Sequence, residues 1–92
     1  MSTFLMFGKY SQDSIKEISA ARTTQANQLV ADNGGSVKSG YALLGETDLV
    51  LIVDFPSVGD AMKASVGLSK LLGIGFTTAP AVSMAEFDQL FG

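Results

Sequence analysis

The 92-residue chain contains no cysteine and no histidine. Without cysteine there is no disulfide framework and no thiol nucleophile. Without histidine as well, the usual zinc ligands, the commonest general base at neutral pH and any His-ligated haem are removed. Cations are also scarce: Lys9, Lys16, Arg22, Lys38, Lys63 and Lys70 are scattered among nine acids, for a net charge of -3. No basic stripe exists to neutralise phosphates, so nucleic acid is not an expected partner. Long hydrophobic runs are missing too. The longest, Leu49 to Val53, is far too short to cross a bilayer, and MSTFLMFGKYS at the amino terminus lacks the basic n-region of a secretion signal. The expected setting is therefore cytoplasmic, with no membrane partner. No motif asks for a cofactor. GIG at 73–75 follows a helix and precedes a strand, the reverse of the nucleotide-binding order. Glu46 and Asp48 could offer oxygen to a hard cation, but two acids in a hairpin are ordinarily a solvated turn, and no metal site is expected.

Apolar residues, in contrast, are plentiful. They make up 47% of the chain against 16% charged, which is high for a small free-standing domain. A single domain of this length buries only about two thirds of its unfolded surface. Some of the apolar excess is therefore expected to meet a second copy of the chain.

Residues 3–9 suit a strand, and Ser11 then suits an N-cap for one helix from Gln12 to Asp32, ended by the glycines of Asn33-Gly34-Gly35. Two strand-like runs, 36–44 and 48–55, are joined at hairpin distance by Gly45, Glu46 and Thr47. Pro56 stops the second of them. Ser57, with Asp60 three places on, opens a helix to about Leu72. Residues 74–82 read as a fourth strand, with Pro80 placed as an edge strand tolerates. Ser83 and Glu86 form a capping box for a short tail helix whose apolar side is Met84, Phe87, Leu90 and Phe91.

The order is β-α-β-β-α-β plus a tail, an α+β ferredoxin-like arrangement in one domain over residues 1–92, with both helices on one face of an antiparallel sheet. Right-handed crossovers are expected to set the first and third strands side by side in the centre, parallel to each other. Leu49 to Val53 is apolar at every position because it is central. One of its faces lies under the helices; the other, carrying residues such as Phe4, Met6 and Ile52 or their neighbours, is open in a monomer. A homodimer with its sheets face to face would cover it.

Read in order, FLMFGKYSQDSIKEISAARTTQA, YALLGETDLVLIVDFP, AMKASVGLSKLLGIGFTTAPAV and EFDQL resemble the GYD-domain family over essentially the whole chain. The resemblance implies the dimeric α/β-barrel group of ferredoxin-like proteins, which includes small monooxygenases, haem-degrading enzymes, isomerases and ligand-sensing domains. The family motif reads Gly, any residue, Tyr, Asp, whereas this chain has Gly45, Glu46, Thr47 and Asp48. Any part the family tyrosine plays is absent here.

Ile15, Ile18, Arg22, Ala26 and Leu29 share one stripe of the expected helix, which places the only arginine on its buried face. Burying a guanidinium is costly unless it is paired, so Arg22 is expected to find a carboxylate such as Asp48 or Glu86, several carbonyls, or an anionic ligand in a cleft between the helix and the sheet. Lys9, at the end of the first strand, could pair with Asp54 if the central strands are parallel. Tyr41 could line a pocket or simply pack on the sheet. Gly8, Gly40 and Gly75 in three strands, and Ser65 and Ser69 in the second helix, mark either close packing or a cavity. The functional expectation is a homodimer that binds a small organic molecule, with an anionic one favoured, through Arg22, with Lys9, Tyr41 and Asp48 as neighbours. Its alternatives are a cofactor-independent oxygenase or isomerase, and a structural interaction module.

Overall fold

Alternation along β1 (Ser2–Tyr10) sorts its side chains onto two faces: Phe4 and Met6 are buried, whereas Leu5 and Phe7 are not. The computed structural model describes all residues from Met1 to Gly92. After β1 come α1 (Gln12–Lys16), α2 (Ala20–Asp32), β2 (Ser36–Ala42), β3 (Leu49–Phe55), α3 (Val58–Leu72), β4 (Ile74–Ala81) and α4 (Met84–Leu90). The sheet order is β2-β3-β1-β4, with α2 and α3 packed on each other over one face, which is the ferredoxin-like arrangement. Each helix starts at a serine whose hydroxyl accepts a backbone N–H three residues on: Ser11 from Ser14, Ser19 from Arg22, Ser57 from Asp60 and Ser83 from Glu86. Such a cap contributes about 1 kcal/mol.

Three expectations are corrected. The central strands β1 and β3 are antiparallel, with Leu5 opposite Ile52 and Phe7 opposite Val50. The crossover makes β1 and β2 run the same way; β3 returns from β2 by a hairpin, inserts between them and so opposes both. Thr3, not Lys9, therefore lies opposite Asp54. The predicted Lys9–Asp54 pair does not form: Lys9 Nζ is 4.0 Å from Asp48 Oδ2, and Asp54 is 3.2 Å from Lys38 Nζ.

The second correction is the helix between β1 and β2, which is two helices. Ser19 is extended (φ -161°), and the chain breaks at Glu17–Ser19. In an unbroken helix Ser14 O would accept the N–H of Ile18. Here Ile18 N–H turns to Ile15 O, and Ser14 O accepts Glu17 N–H instead. Ile15 and Ile18 consequently leave the expected stripe and are more than half exposed, while Arg22, Ala26, Leu29 and Val30 still face inward. Finally, the β2–β3 connection runs from Leu43 to Asp48, longer than the three residues expected. It is closed by Leu43 N–H donating to Asp48 O at 2.8 Å, with Gly45 at φ +126°.

The core joins Phe4, Met6, Val53 and Phe55 of the sheet to Val30 of α2 and to Ala61, Ala64 and Leu68 of α3. Phe4 and Phe55 meet edge to face at 5.9 Å between ring centroids. Close approach explains two of the three strand glycines. A Cβ on Gly8 would stand 2.9 Å from Leu49 Cγ, and one on Gly40 would stand 2.8 Å from Leu51 Cδ2, whereas Gly75 faces open space. Ser65 accepts a bond from Thr78 Oγ1 at 3.0 Å, tying α3 to β4.

The opposite face of the sheet has no cover within the chain. Parity resolves the earlier expectation: Phe4 and Met6 belong to the core, while Leu5, Phe7, Val50 and Ile52 line the open face. Tyr41, opposite Val50, joins them and is 60% exposed. The tail helix α4 forms as expected, but it makes at most marginal contact with the other elements of its own chain. No helix is long and apolar enough to cross a membrane.

Candidate functional site

Where α1 breaks from α2, the helix layer parts from the sheet and leaves a cleft of about 120 Å³. Its floor is Tyr10, Leu49, Leu51, Ile74 and Phe76; α3 contributes Leu68 and Leu72, and the broken segment sets Ile18 at the mouth. Gly8 lies under this floor, and its lack of a side chain lets Leu49 and Phe76 close over β1. The polar members come mainly from α2 and its cap: Ser19, Arg22, Thr23 and Asn27. Tyr10 adds a phenol hydroxyl from the sheet, and no carboxylate or lysine lines the cleft.

Arg22 is placed by two local features. Its backbone N–H donates to the Oγ of the α2 cap, Ser19, at 3.2 Å, and its position on the inward side of α2 directs the side chain under the α1–α2 break. There Nη1 donates to Ser14 O at 3.1 Å, the carbonyl that the break had freed from its helical partner. Nη2 donates to Leu72 O in the last turn of α3, just before Gly73 turns left-handed at φ +67°. One guanidinium thus caps the carboxyl ends of two helices, where orphan carbonyls and the helix dipoles favour a cation. Glu17 Oε2 stands 3.7 Å from Nη1, but its side chain is 71% exposed. The partners are carbonyls and Glu17; neither Asp48 nor Glu86 is among them.

The other candidate residues fall elsewhere. Asp48 does not line the cleft, but its Oδ2 accepts the backbone N–H of Tyr10 at 2.8 Å and so fixes the end of β1 beside the cleft floor. Lys9 alternates with Tyr10 and lies on the open face, as Tyr41 does. The structure therefore brings Arg22 to the cleft, sets Asp48 just behind it, and puts Lys9 and Tyr41 across the sheet. Sequence reasoning missed Tyr10, Thr23 and Asn27. Tyr10 had a signal, since it has the same parity as Phe4 and Met6; Thr23 and Asn27 are recognisable only once the true start of α2 at Ser19 is known. Glu46 and Asp48 gain no third acid that would complete a metal cluster.

The carboxyl of Asp54 is held below its ordinary pKa. The Thr3 hydroxyl, donating to Oδ1 at 2.7 Å, lowers its pKa most; partial burial opposes this, and the hydrogen bond and charge of Lys38 lower it further. This network belongs to the open face, away from the cleft.

No curated protein matches the sequence significantly. Among solved structures, the chain is similar to the leucine response regulatory protein of Mycobacterium tuberculosis, with a TM-score of 0.59 and 11% identity over 90% of this chain and 51% of the regulator. At that identity the likeness is one of fold, and this chain spans about half the length of the regulator. The ordered blocks of sequence, the βαββαβ sheet and the match of the GYD domain to residues 4–91 together place the chain in the GYD domain family.

Proposed function

We propose that the protein binds a small, mostly apolar organic molecule in the cleft between α2 and the sheet, and that it does so as a homodimer joined through the open sheet faces. The observation that carries the ligand reading is the cleft itself: an apolar floor with polar groups gathered along the α2 side. Small-molecule sites have this composition. Its volume of 120 Å³ is near that of engineered apolar cavities, about 150 Å³, that hold one benzene. The ligand class that fits is a single ring or a short branched chain with one hydroxyl, carbonyl or carboxylate directed toward Tyr10, Thr23 and Asn27. Arg22 has already committed two N–H groups to carbonyls, so it offers a remaining donor rather than an unpaired charge.

Binding is better supported than catalysis. A cofactor-independent oxygenase or isomerase needs an acid or base at the substrate, and the cleft offers only the Tyr10 phenol. A purely structural module would have no reason to keep the cleft. The homodimer reading draws on the open face, where Leu5, Phe7, Val50 and Ile52 lie together without cover.

Ala26→Leu tests the ligand. The added carbons fill the cleft one helical turn from Arg22 and remove neither of its carbonyl bonds, so the variant is expected to fold at least as stably as the parent while losing binding. Native mass spectrometry of the parent reads retained small molecules and subunit number together, and titration with monocyclic phenols and benzoates supplies the binding measurement. A parent that retains nothing and binds none of the panel overturns the ligand reading; a monomeric parent overturns the dimer.

A further inference from the structure

Two apolar surfaces besides the open sheet face lack partners. One is a groove of about 250 Å³ between α3 and the edge strand β4, walled by Val58, Met62, Val66 and Pro80. The three α3 side chains recur every fourth residue, a continuous stripe along one side of the helix, and each is more than half exposed. The other surface is on α4. Its apolar side, Met84, Phe87, Leu90 and Phe91, is about half exposed or more, and the rings of Phe87 and Phe91 meet at a 56° tilt, centroids 5.1 Å apart, as a single wedge. A helix of seven residues is not stable without tertiary support.

We propose that α4 of one copy docks in the α3–β4 groove of a second copy, so that the dimer exchanges its carboxyl-terminal helices. Lengths agree: at 1.5 Å per residue the α3 stripe from Val58 to Val66 runs about 12 Å, and Met84 to Phe91 runs about 10.5 Å. Charges agree as well. By helical spacing, Lys63 and Lys70 flank the outer side of the α3 stripe, whereas Glu86 and Asp88 flank the apolar side of α4, which carries no cation. An amphipathic helix set in an apolar groove with opposite charges at the rim is a common mode of recognition. The chain's own α4 is turned away from its groove. Ser83 and Glu86 border a concavity with Thr3, Leu5 and Lys38 on the open-face side of the sheet, while the groove lies on the helix side. Reciprocal exchange also suits a closed two-fold assembly, because each copy gives one helix and receives one.

The area argues the same way. Four strands spaced about 4.8 Å apart and about seven residues long give an open face of roughly 440 Å² in plan. A stable interface needs about 800 Å² from each partner. The exposed parts of Phe87 (47%) and Phe91 (77%) add to that face when α4 docks.

This exchange rests on the dimer of the proposed function but not on the cleft ligand. The test uses the absence of native cysteine. Met62→Cys and Leu90→Cys variants are made separately, both at exposed positions, then mixed at equal concentration and treated with a short bismaleimide. The mixture is expected to yield several-fold more covalent dimer than either variant alone, and Phe87→Ser with Phe91→Ser in the Leu90→Cys chain is expected to abolish the excess. No excess from protein that is dimeric by native mass spectrometry overturns the exchange and leaves the dimer standing; a monomer overturns both. A chain carrying both cysteines that links only within itself overturns the exchange in favour of docking on its own α3.

Discussion

Replacing Arg22 by methionine removes the guanidinium while leaving an unbranched stem to pack along Ala26 and the cleft wall. Two charge-assisted hydrogen bonds disappear, to Ser14 O and Leu72 O, each at the carboxyl end of a helix. Bonds to charged groups contribute about 1.5–3 kcal/mol each, so the gross loss is about 3–6 kcal/mol. Water returns part of it. The Arg22 side chain is 17% exposed beside the cleft, so solvent entering there can bond the freed carbonyls, and the net cost should settle near 2–4 kcal/mol. The Glu17 contact adds little, since ion pairs with so exposed a carboxylate are worth about 0–1 kcal/mol. For a domain of this size 1 kcal/mol corresponds to about 4–8 °C, so the melting temperature should fall by about 10–30 °C.

The assay is urea unfolding followed by far-ultraviolet circular dichroism, with thermal melts at one fixed protein concentration because the proposed dimer would make apparent stability depend on it. Arg22→Lys is expected to recover only part of the loss. An ammonium is a point donor on a flexible stem and cannot fork between two carbonyls as a guanidinium does. Glu17→Gln is expected to stay within about 1 kcal/mol of the parent. The reasoning is refuted if Arg22→Met unfolds within about 1 kcal/mol of the parent, for then the two caps carry no net energy. It is also refuted if Glu17→Gln proves as damaging as Arg22→Met.

Asp54→Asn tests the network on the open face. Because the folded carboxyl titrates below its ordinary value, the folded chain binds fewer protons there than the unfolded chain, so its contribution is present above the unfolded pKa of about 3.9 and fades as pH falls through the lowered folded value. The urea midpoints of parent and variant should therefore converge between about pH 5 and pH 2; a gap that stays constant over that range would show that Thr3 and Lys38 do not hold the carboxylate. Ile52→Lys puts a charge opposite Leu5 in the middle of the open face while leaving Met6 and Val53 in the core undisturbed. It should give a folded monomer by native mass spectrometry, and a dimer of undiminished affinity would remove the sheet face from the interface.

The fold was largely legible because its signals are local and agree with one another. Serine caps, glycine and proline stops and a period-two strand pattern each marked an element, and the four strands formed within two residues of their expected ends. The relative direction of β1 and β3 is not a local property. It follows from counting reversals through the crossover and the hairpin, and one miscounted reversal moved Asp54 to the wrong end of β1. The break before α2 was missed for a different reason. Ser11 and Ser19 both have the chemistry of an N-cap, but an apolar spacing that continues smoothly through Ile15, Ile18 and Arg22 reads as one helix. What stabilises the break is nonlocal: the carbonyl of Leu72, fifty residues away, shares a guanidinium with Ser14.

That nonlocal clamp also explains why the candidate site was only half visible. Arg22 is on the inward face, as the helical period predicts, yet the same side chain holds α1 turned away from α2, and the turned segment is what leaves Ile18 at the mouth of the cleft. The cleft and the clamp are thus one feature. A substitution at Arg22 that weakened ligand binding would not separate a lost donor from a closed or loosened cleft, because either follows when Ser14 O and Leu72 O are released. Ala26 has no such second role: it lines the same cleft one turn along α2 and holds no polar group. Loss of binding in Ala26→Leu with stability retained therefore reports on the occupied volume alone, and binding that survives in that variant would place the ligand outside the cleft.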